Sequence, residues 1–264
     1  MRCSDKKTHT MPAKEKNMKQ SIVPALVIDI GNTSTSLAVA RGLTLSSVQR
    51  APSGEPALNL KNVPARAVVA SVKPAVNQRW EKFLKNSGVT EILYVNHKLN
   101  LGIPVTYPKP ETIGADRLAN ACAAAAAYGT PVVVCDFGTA LTFDIIKKRA
   151  GYCGGIICPG LPLMFDYLAE KTALLPHIQP EKTEHLIGQS TAEAMRIGAH
   201  LGYLGMVKEI LARLKKELGR GTRVCATGGF AEWVLAGWDH AVPVDPHLTL
   251  KGLARIALIN PPHV

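Results

Sequence analysis

Two short acidic segments have the residue types of a phosphate site. Asp29 ends an apolar run and begins the string DIGNT, and Asp136 ends a second apolar run and begins DFGTALT. A carboxylate buried at a strand end is costly unless it binds water, a metal or a backbone donor. The glycine two positions later permits a sharp turn, and the hydroxyls and backbone N–H groups around it can cradle phosphate. Alone, the first string is equally typical of a β-hairpin with a polar tip.

The presence of two related strings favours one shared site. Two such hairpins can face each other across a cleft and hold a triphosphate and its cations, because phosphoryl transfer depends mainly on positioning and charge neutralisation. No Walker A string G-x-x-x-x-G-K-[ST] occurs, which excludes a P-loop. The letters D-F-G at 136–138 also occur in protein kinases. Neither the H-R-D loop nor the V-A-I-K strand of those enzymes is present, so we treat this match as chance.

Two further strings could contact ligands. In GADR, Asp116 and Arg117 fall in the first turn of a predicted helix, where the helix dipole favours an ionised carboxylate. Asp116 is therefore expected to be charged and free to accept a hydrogen bond, although an acid at a helix start also serves solubility alone. The string ATGGF at 226–230 predicts a strand running into glycines that admit a flat adenine or ribose. A plain strand-to-helix turn explains that string equally well.

The strings lie on alternating strands and helices. A strand, a tight turn and a returning strand are predicted at 25–40 and again at 131–146, so the chain contains two versions of one unit. An alanine-rich helix is predicted from 113 to 128, ending at Gly129. We therefore predict an α/β fold of two lobes, 21–129 and 130–264, with a ligand cleft between them. Also predicted are strands at 65–72, 91–95 and 223–226, helices at 77–86 and from 231 onward, a long helix pair or one broken helix at 188–216, and a rigid turn at 154–160.

Composition is typical of a folded protein. Of the 264 residues, 47% are hydrophobic and 19% charged, and no apolar stretch reaches the roughly 18 residues of a membrane span. Residues 1–20 lack an apolar signal region and are predicted to be a disordered extension. They carry six basic residues against two acids, so about +4 of the formal net charge of +11 lies there. No basic run with interleaved aromatics supports nucleic-acid binding.

The six cysteines indicate the redox compartment. They form no C-x-x-C pair and have no paired histidine spacing, which argues against a zinc site. We expect them to be reduced thiols of a cytoplasmic protein.

Taken together, these strings resemble a known family. The paired hairpins and the late glycine turn are similar to the actin, sugar-kinase and Hsp70 superfamily, which has two duplicated ribonuclease-H-like lobes around a cleft. Within it, the chain resembles type III pantothenate kinases from about Leu26 to Ala257. The resemblance rests on nine strings in order: DIGNT at Asp29, ASVKP at Ala70, Y-x-x-P-x-x-x-G-A-D-R at Tyr107, DFGTALT at Asp136, GGIICPG at Gly154, KTALLP at Lys171, GQST at Gly188, TGG at Thr227 and LTLKGL at Leu248.

The resemblance implies transfer of the γ-phosphoryl group of ATP to pantothenate, the first step of coenzyme A synthesis. It implies that Asp116 is the general base for the pantothenate hydroxyl, and an aspartate with a pKa near 4 would mainly orient that hydroxyl. The planar guanidinium of Arg117 would suit the pantothenate carboxylate. The implied pantothenate contacts are Tyr107, Gly114, Ala115, Asp116, Arg117 and Thr191, and the implied ATP contacts are Asp29, Ile30, Gly31, Asn32, Thr33, Ser34, Thr35, Ser36 and Thr139.

Cations and a second subunit are implied as well. Asp136 would help hold a monovalent cation, potassium or ammonium, and magnesium is expected with ATP because it neutralises phosphate charge. Small residues at helical spacing in 191–205 are implied to contribute to a homodimer with the pantothenate site near the subunit boundary.

Two other functions stay open on the sequence. Some relatives in this family are described as transcriptional accessory factors, so a regulatory or binding protein is one alternative. The presence together of Asp29, Asp116, Arg117, Asp136 and Thr139 favours catalysis instead. A kinase for a sugar or another small alcohol is opposed only by the strings around Tyr107 and Asp116.

Overall fold

The computed structural model describes residues 23–53, 56, 59–238 and 242–262. The predicted disordered extension, 1–20, lies outside the described residues. Within the described ranges, no helix combines the length and apolar character needed to cross a membrane.

The first sheet has five strands in the order β3-β2-β1-β4-β5. The first three strands form an antiparallel meander, and the last two run parallel to β1 and to each other. The strands are β1 (Ala25–Ile30), β2 (Ser34–Arg41), β3 (Thr44–Pro52), β4 (Arg66–Ser71) and β5 (Glu91–Tyr94).

The second sheet repeats this arrangement with four strands, in the order β8-β7-β6-β9. Again three strands form an antiparallel meander and a parallel strand flanks the first of them. The strands are β6 (Val132–Phe137), β7 (Ala140–Lys147), β8 (Gly151–Pro159) and β9 (Arg223–Thr227). The predicted α/β fold with a duplicated unit is therefore confirmed.

Six α-helices accompany the sheets in the described residues. Helix α1 has the predicted bounds, and α2 starts two residues inside the predicted helix and ends, as predicted, before Gly129. The helices are α1 (Asn77–Asn86), α2 (Ala115–Tyr128), α3 (Leu161–Lys171), α4 (Thr191–Leu218), α5 (Ala231–Leu235) and α6 (Leu248–Ile259).

Two local predictions were wrong. Helix α4 is one continuous helix of 28 residues rather than a pair or a broken helix. The Ser190 hydroxyl accepts from the Glu193 N–H and the Glu193 carboxylate accepts from the Gln189 N–H, so the helix start is capped. Cβ atoms added at its interior glycines would meet nothing within 4 Å, so no tight contact interrupts it. The segment 154–160 is mostly strand β8 rather than a rigid turn, because its residues pair with β7.

The core places α2 and α6 between the two sheets. Their buried residues form one apolar cluster with the inner faces of β1, β4 and β6. A Cβ at Gly252 of α6 would lie 2.0 Å from the carbonyl oxygen of Ala119 of α2, so only glycine permits this close helix contact. Helix α1 covers the other face of the first sheet, and α3, α4 and α5 cover the other face of the second.

The division of the chain at 129/130 stays a prediction. Each side of that boundary holds one sheet, but α6 returns to the first sheet and packs on α2. The C-terminal segment therefore contributes to the packing of both halves.

Candidate active site

The first acidic turn follows β1 and is held by backbone and side-chain hydrogen bonds. The Gly31 N–H donates to the Ser34 carbonyl at 3.0 Å, and the Ser53 hydroxyl donates to the Gly31 carbonyl at 2.6 Å. A Cβ at Gly31 would lie 2.9 Å from the Ser34 carbonyl oxygen, too close for a side chain. The turn leaves Asn32 and Thr33 exposed at its tip.

The second acidic turn has the same design and touches the first. The Gly138 N–H donates to the Ala140 carbonyl at 3.1 Å. The hydroxyl oxygens of Thr33 and Thr139 lie 3.0 Å apart, which joins the tips of the two turns, one from each sheet. Residues far apart in the sequence thus bring two hydroxyl groups together on one surface.

The glycine turn after β9 packs directly against the second acidic turn. The Phe230 N–H donates to the Phe137 carbonyl at 3.2 Å. Gly228 has φ +94°, and a Cβ there would lie 2.5 Å from the Phe137 backbone. Glycine is required at this position both by its conformation and by this approach.

Three carboxylates belong to one electrostatic cluster. Burial raises the pKa of Asp29 well above its ordinary range, and the charges of Asp116 and Asp136 raise it further, opposed by Arg50. Burial, followed by the Asp116 charge, raises the pKa of Asp136 to about 7. Burial also raises the pKa of Asp116, opposed mainly by the backbone N–H of Arg117, which donates to Asp116 Oδ1 at 2.7 Å. Protons or cations are needed to offset this concentration of negative charge.

The carboxylate cluster is suited to cations that prefer oxygen ligands. Among the described residues, no three His, Cys, Asp or Glu side chains are arranged as a complete metal site. Magnesium is usually held by one or two carboxylates together with substrate phosphates and water, which is what Asp29 and Asp136 offer. The carboxylates and nearby threonine hydroxyls are also the hard donors that an alkali cation accepts.

Arg117 is held by an aspartate that the sequence reasoning missed. Asp144 on β7 is fully buried, and its Oδ1 accepts from Arg117 Nε at 2.8 Å and lies 2.6 Å from Arg117 Nη2. The Tyr152 hydroxyl donates to the same oxygen at 2.8 Å. Burial raises the pKa of Asp144, and the Arg117 charge opposes the rise. An acid inside the apolar string TFDII was a signal that could have identified it.

Tyr107 and Arg117 both lie close to the ring of Tyr152. The Tyr107 ring meets the Tyr152 ring edge-on with centroids 6.3 Å apart, and the Arg117 guanidinium carbon lies 5.9 Å from the Tyr152 centroid. A Cβ at Gly155 would lie 2.6 Å from Arg117 Nη2, so the glycine leaves room for the guanidinium. The predicted residues Tyr107 and Arg117 are therefore close in space through Tyr152.

Asn120 was also missed and connects the second turn to the last helix. Its side-chain nitrogen donates to Asp136 Oδ2 at 2.9 Å, and its side-chain oxygen accepts from the Thr249 hydroxyl at 2.8 Å. Asn120 is fully buried in the alanine-rich helix α2, where a polar residue needs partners. That lone amide in a run of alanines was the available signal.

The remaining predicted residues have varied positions. Gly114 is the N-cap of α2 and a Cβ there would lie 2.5 Å from Asp116 Oδ1, while Ala115 is the first helical residue. Ile30 and Thr35 have buried side chains, so only their backbones can face a ligand. Thr191 is exposed at the start of α4, and no hydrogen bond or ion pair within the described residues joins it to Arg117, Asp144 or Tyr152.

The pKa of Asp136 predicts a pH-dependent stability. Because this pKa is about 7 in the fold and 3.8 ordinarily, the folded chain binds more protons than the unfolded chain between these values. This contribution to the free energy of unfolding is fully present below about pH 4 and is lost as the pH rises through about 7. Thermal unfolding without nucleotide should show a smaller fall in Tm from pH 5 to 8 in Asp136→Asn than in wild type, by at least about 2–4 °C.

Glu170→Gln is the control for this measurement, since Glu170 is an exposed acid on α3. It should keep the wild-type dependence of Tm on pH. Identical curves for wild type and Asp136→Asn would contradict the raised pKa.

Comparison with known proteins gives consistent matches. A sequence profile of the type III pantothenate kinase family matches residues 25–213. A type III pantothenate kinase of Akkermansia muciniphila is 51% identical over 194 residues, covering 74% of this chain and 78% of the relative. Another, of Methylacidiphilum infernorum, is 39% identical over 243 residues, covering 89% and 88%.

Solved structures agree on the fold. A structure described as a Baf family transcriptional activator from Campylobacter jejuni has a TM-score of 0.53 at 21% identity, covering 88% of this chain and 97% of its own. The ethanolamine utilization protein EutJ of Carboxydothermus hydrogenoformans also has a TM-score of 0.53, at 15% identity and 90% coverage of both chains. At such low identities, the TM-scores show a shared fold and nothing about activity.

Proposed function

Because the chain belongs to the type III pantothenate kinase family, we propose a role for each part of its cleft in moving the γ-phosphoryl group of ATP onto pantothenate. The overall activity follows from family membership: the chain is a pantothenate kinase of the actin, sugar-kinase and Hsp70 fold class and acts in coenzyme A synthesis. The observation that supports the division of roles is the shared charge cluster of Asp29, Asp116 and Asp136.

ATP is proposed to lie between the two acidic turns. The Thr33 and Thr139 hydroxyls, 3.0 Å apart, supply donors from both sides. The exposed backbone at the tip of the first turn, at Asn32 and Thr33, would supply further donors, whereas the Ile30 and Thr35 side chains are buried. Such fixed donors stabilise developing phosphate charge without reorganisation during the reaction.

Asp116 is proposed to receive the proton of the pantothenate hydroxyl. The Arg117 backbone N–H orients its carboxylate, which keeps further acceptor capacity for a substrate hydroxyl. Burial raises its pKa, which makes it a stronger base than an exposed aspartate. As the bond from the γ-phosphorus to the ADP oxygen breaks, the hydroxyl oxygen bonds to phosphorus and its proton passes to Asp116.

Arg117 is proposed to bind the pantothenate carboxylate by the end of its guanidinium. Nε and Nη2 already face Asp144, so Nη1 and the remaining Nη2 hydrogen are left for the substrate. Tyr107, 37% exposed, would form an adjoining wall. Gly114 and Ala115 would contact pantothenate from the start of α2, and Thr191 from the start of α4.

Cations are proposed to complete the nucleotide site. Magnesium bound to the ATP phosphates would neutralise charge near Asp29 and Asp136. Potassium or ammonium beside Asp136 would offset the burial that raises this pKa to about 7. Asn120, by donating to Asp136 Oδ2, would keep that carboxylate turned toward the ion.

A homodimer is also proposed, and the exposed apolar residues around α3 and α4 support it. Contiguous apolar surface often marks a subunit interface. The exposed apolar side chains around α3 and α4 are Ile157, Leu163, Tyr167, Leu174, Leu186, Ile187 and Leu201.

We place the enzyme in the cytoplasm, where ATP is supplied.

A substrate panel tests the acceptor assignment. The purified full chain, with ATP, magnesium and potassium, should phosphorylate pantothenate and show no turnover with glucose or glycerol. Replacing potassium by sodium should lower the rate of the pantothenate reaction. Turnover with a sugar but not with pantothenate would contradict the assignment of pantothenate as the acceptor. Equal rates in potassium and in sodium would contradict only the proposed role of the monovalent cation.

A further inference from the structure

Arg50 lies beside the first acidic turn although no sequence string pointed to it. It is on β3, opposite Ser36 of β2, and its Nε donates to the Ser34 hydroxyl at 3.0 Å. Its side chain is exposed to solvent. The hydrogen bond fixes the guanidinium next to the turn proposed to bind phosphate.

The same guanidinium reaches the opposite side of the cleft. A Cβ at Gly229, in the glycine turn after β9, would lie 3.6 Å from Arg50 Nη1 and 3.8 Å from Nη2. Arg50 therefore lies between a turn of the first sheet and a turn of the second.

The negative charge near the two acidic turns bears on what Arg50 can bind. A bound triphosphate would add negative charge to a region that already holds three carboxylates. The Arg117 guanidinium already pairs with the buried Asp144 through Nε and Nη2, whereas neither Nη nitrogen of Arg50 donates a hydrogen bond within the described part of the chain. Arg50 thus offers a positive charge with unused donors at the nucleotide side of the cleft.

We infer that Arg50 is a nucleotide-binding residue whose Nη groups donate to phosphate oxygens of ATP. The inference rests on the proposed position of ATP between the two acidic turns. Guanidinium groups bind phosphate through paired, charge-assisted hydrogen bonds, and the Ser34 contact leaves the Nη edge available for them.

Calorimetric titration of ATP, ADP and adenosine into the full chain, with magnesium present, tests the inference. Arg50→Gln should weaken ATP binding by about 10- to 100-fold, the usual effect of losing hydrogen bonds to a charged group. Adenosine, which has no phosphate, should bind within twofold of its wild-type affinity. Arg50→Lys keeps the charge and should fall between wild type and Arg50→Gln for ATP.

Arg41→Gln is the matched control, because Arg41 is an exposed arginine at the far end of the same β2–β3 hairpin. It should bind ATP as wild type does. Unchanged ATP affinity in Arg50→Gln, or equal losses for ATP and adenosine, would overturn the inference. Should the glutamine variant fail to fold, Arg50→Lys supplies the same comparison: weaker ATP binding with unchanged adenosine binding supports the phosphate contact. An unchanged ATP affinity, or equal losses for ATP and adenosine, overturns it.

These outcomes are separable from the proposed chemistry. A wild-type chain that binds ATP but does not phosphorylate pantothenate would refute the acceptor assignment and leave the Arg50 contact standing. A wild-type chain that binds adenosine and ATP equally would refute the proposed phosphate site itself.

Discussion

Asp116→Asn is expected to lower turnover by about 10²- to 10⁴-fold, the range associated with a positioned acid–base group. Asparagine retains an oxygen that can accept from the Arg117 backbone N–H, so the start of α2 should keep its shape. It cannot accept the hydroxyl proton. Because one of three mutually repelling carboxylates is removed, Tm should be equal to or higher than that of wild type.

Steady-state rates with varied ATP and pantothenate measure this effect. Glu111→Gln, which neutralises an exposed acid five residues earlier, should retain wild-type kcat. Full turnover in Asp116→Asn would show that another group receives the proton. A loss of activity matched by a loss of folded protein would likewise contradict the assignment.

Asp144→Ala is expected to be the most destabilising change at the site. The substitution leaves the Arg117 guanidinium and the Tyr152 hydroxyl without their shared buried acceptor. Removing one partner of a buried ion pair costs about 3–5 kcal/mol in the free energy of unfolding. Chemical denaturation should show this loss. Glu209→Gln, which removes one partner of an exposed pair with Arg213, should cost less than about 1 kcal/mol.

Asp144→Asn tests whether Asp144 positions Arg117 for the substrate or only stabilises the fold. The amide can still accept from Tyr152 but no longer neutralises Arg117. If Arg117 binds the pantothenate carboxylate, KM for pantothenate should rise about 10-fold or more while KM for ATP changes little. An unchanged pantothenate KM in a folded Asp144→Asn variant would show that Asp144 is only structural.

The local sequence pattern was sufficient to predict the helices whose ends are marked by residues of the helix itself or next to it. Helix α1 has the predicted bounds, and α2 ends where Gly129 indicated. Strand β3 and helix α3 were not predicted, and the helix predicted from 231 onward is divided into α5 and α6. In α6, packing against α2 determines which face is buried, and no local string reports that contact.

The parts of the site that are built from consecutive residues of one turn could be predicted from the sequence. The two acidic turns and the start of α2 were identified because glycines, acids and hydroxyls adjoin one another in the sequence. Asp144, Asn120 and Arg50 were missed because their partners lie on other elements. Asn120 meets Thr249 at a separation of 129 residues, and the single-sequence pattern carries no information on such pairs.

The return of α6 to the first sheet has a consequence for synthesis of the chain. The inner face of that sheet is covered in part by residues 248–259, which are synthesised only after the strands of both sheets. An emerging N-terminal half can pair its strands but cannot complete its core until those residues have been made. Nascent protein therefore displays apolar surface until α6 emerges, and a premature stop ahead of Leu248 would leave that surface uncovered.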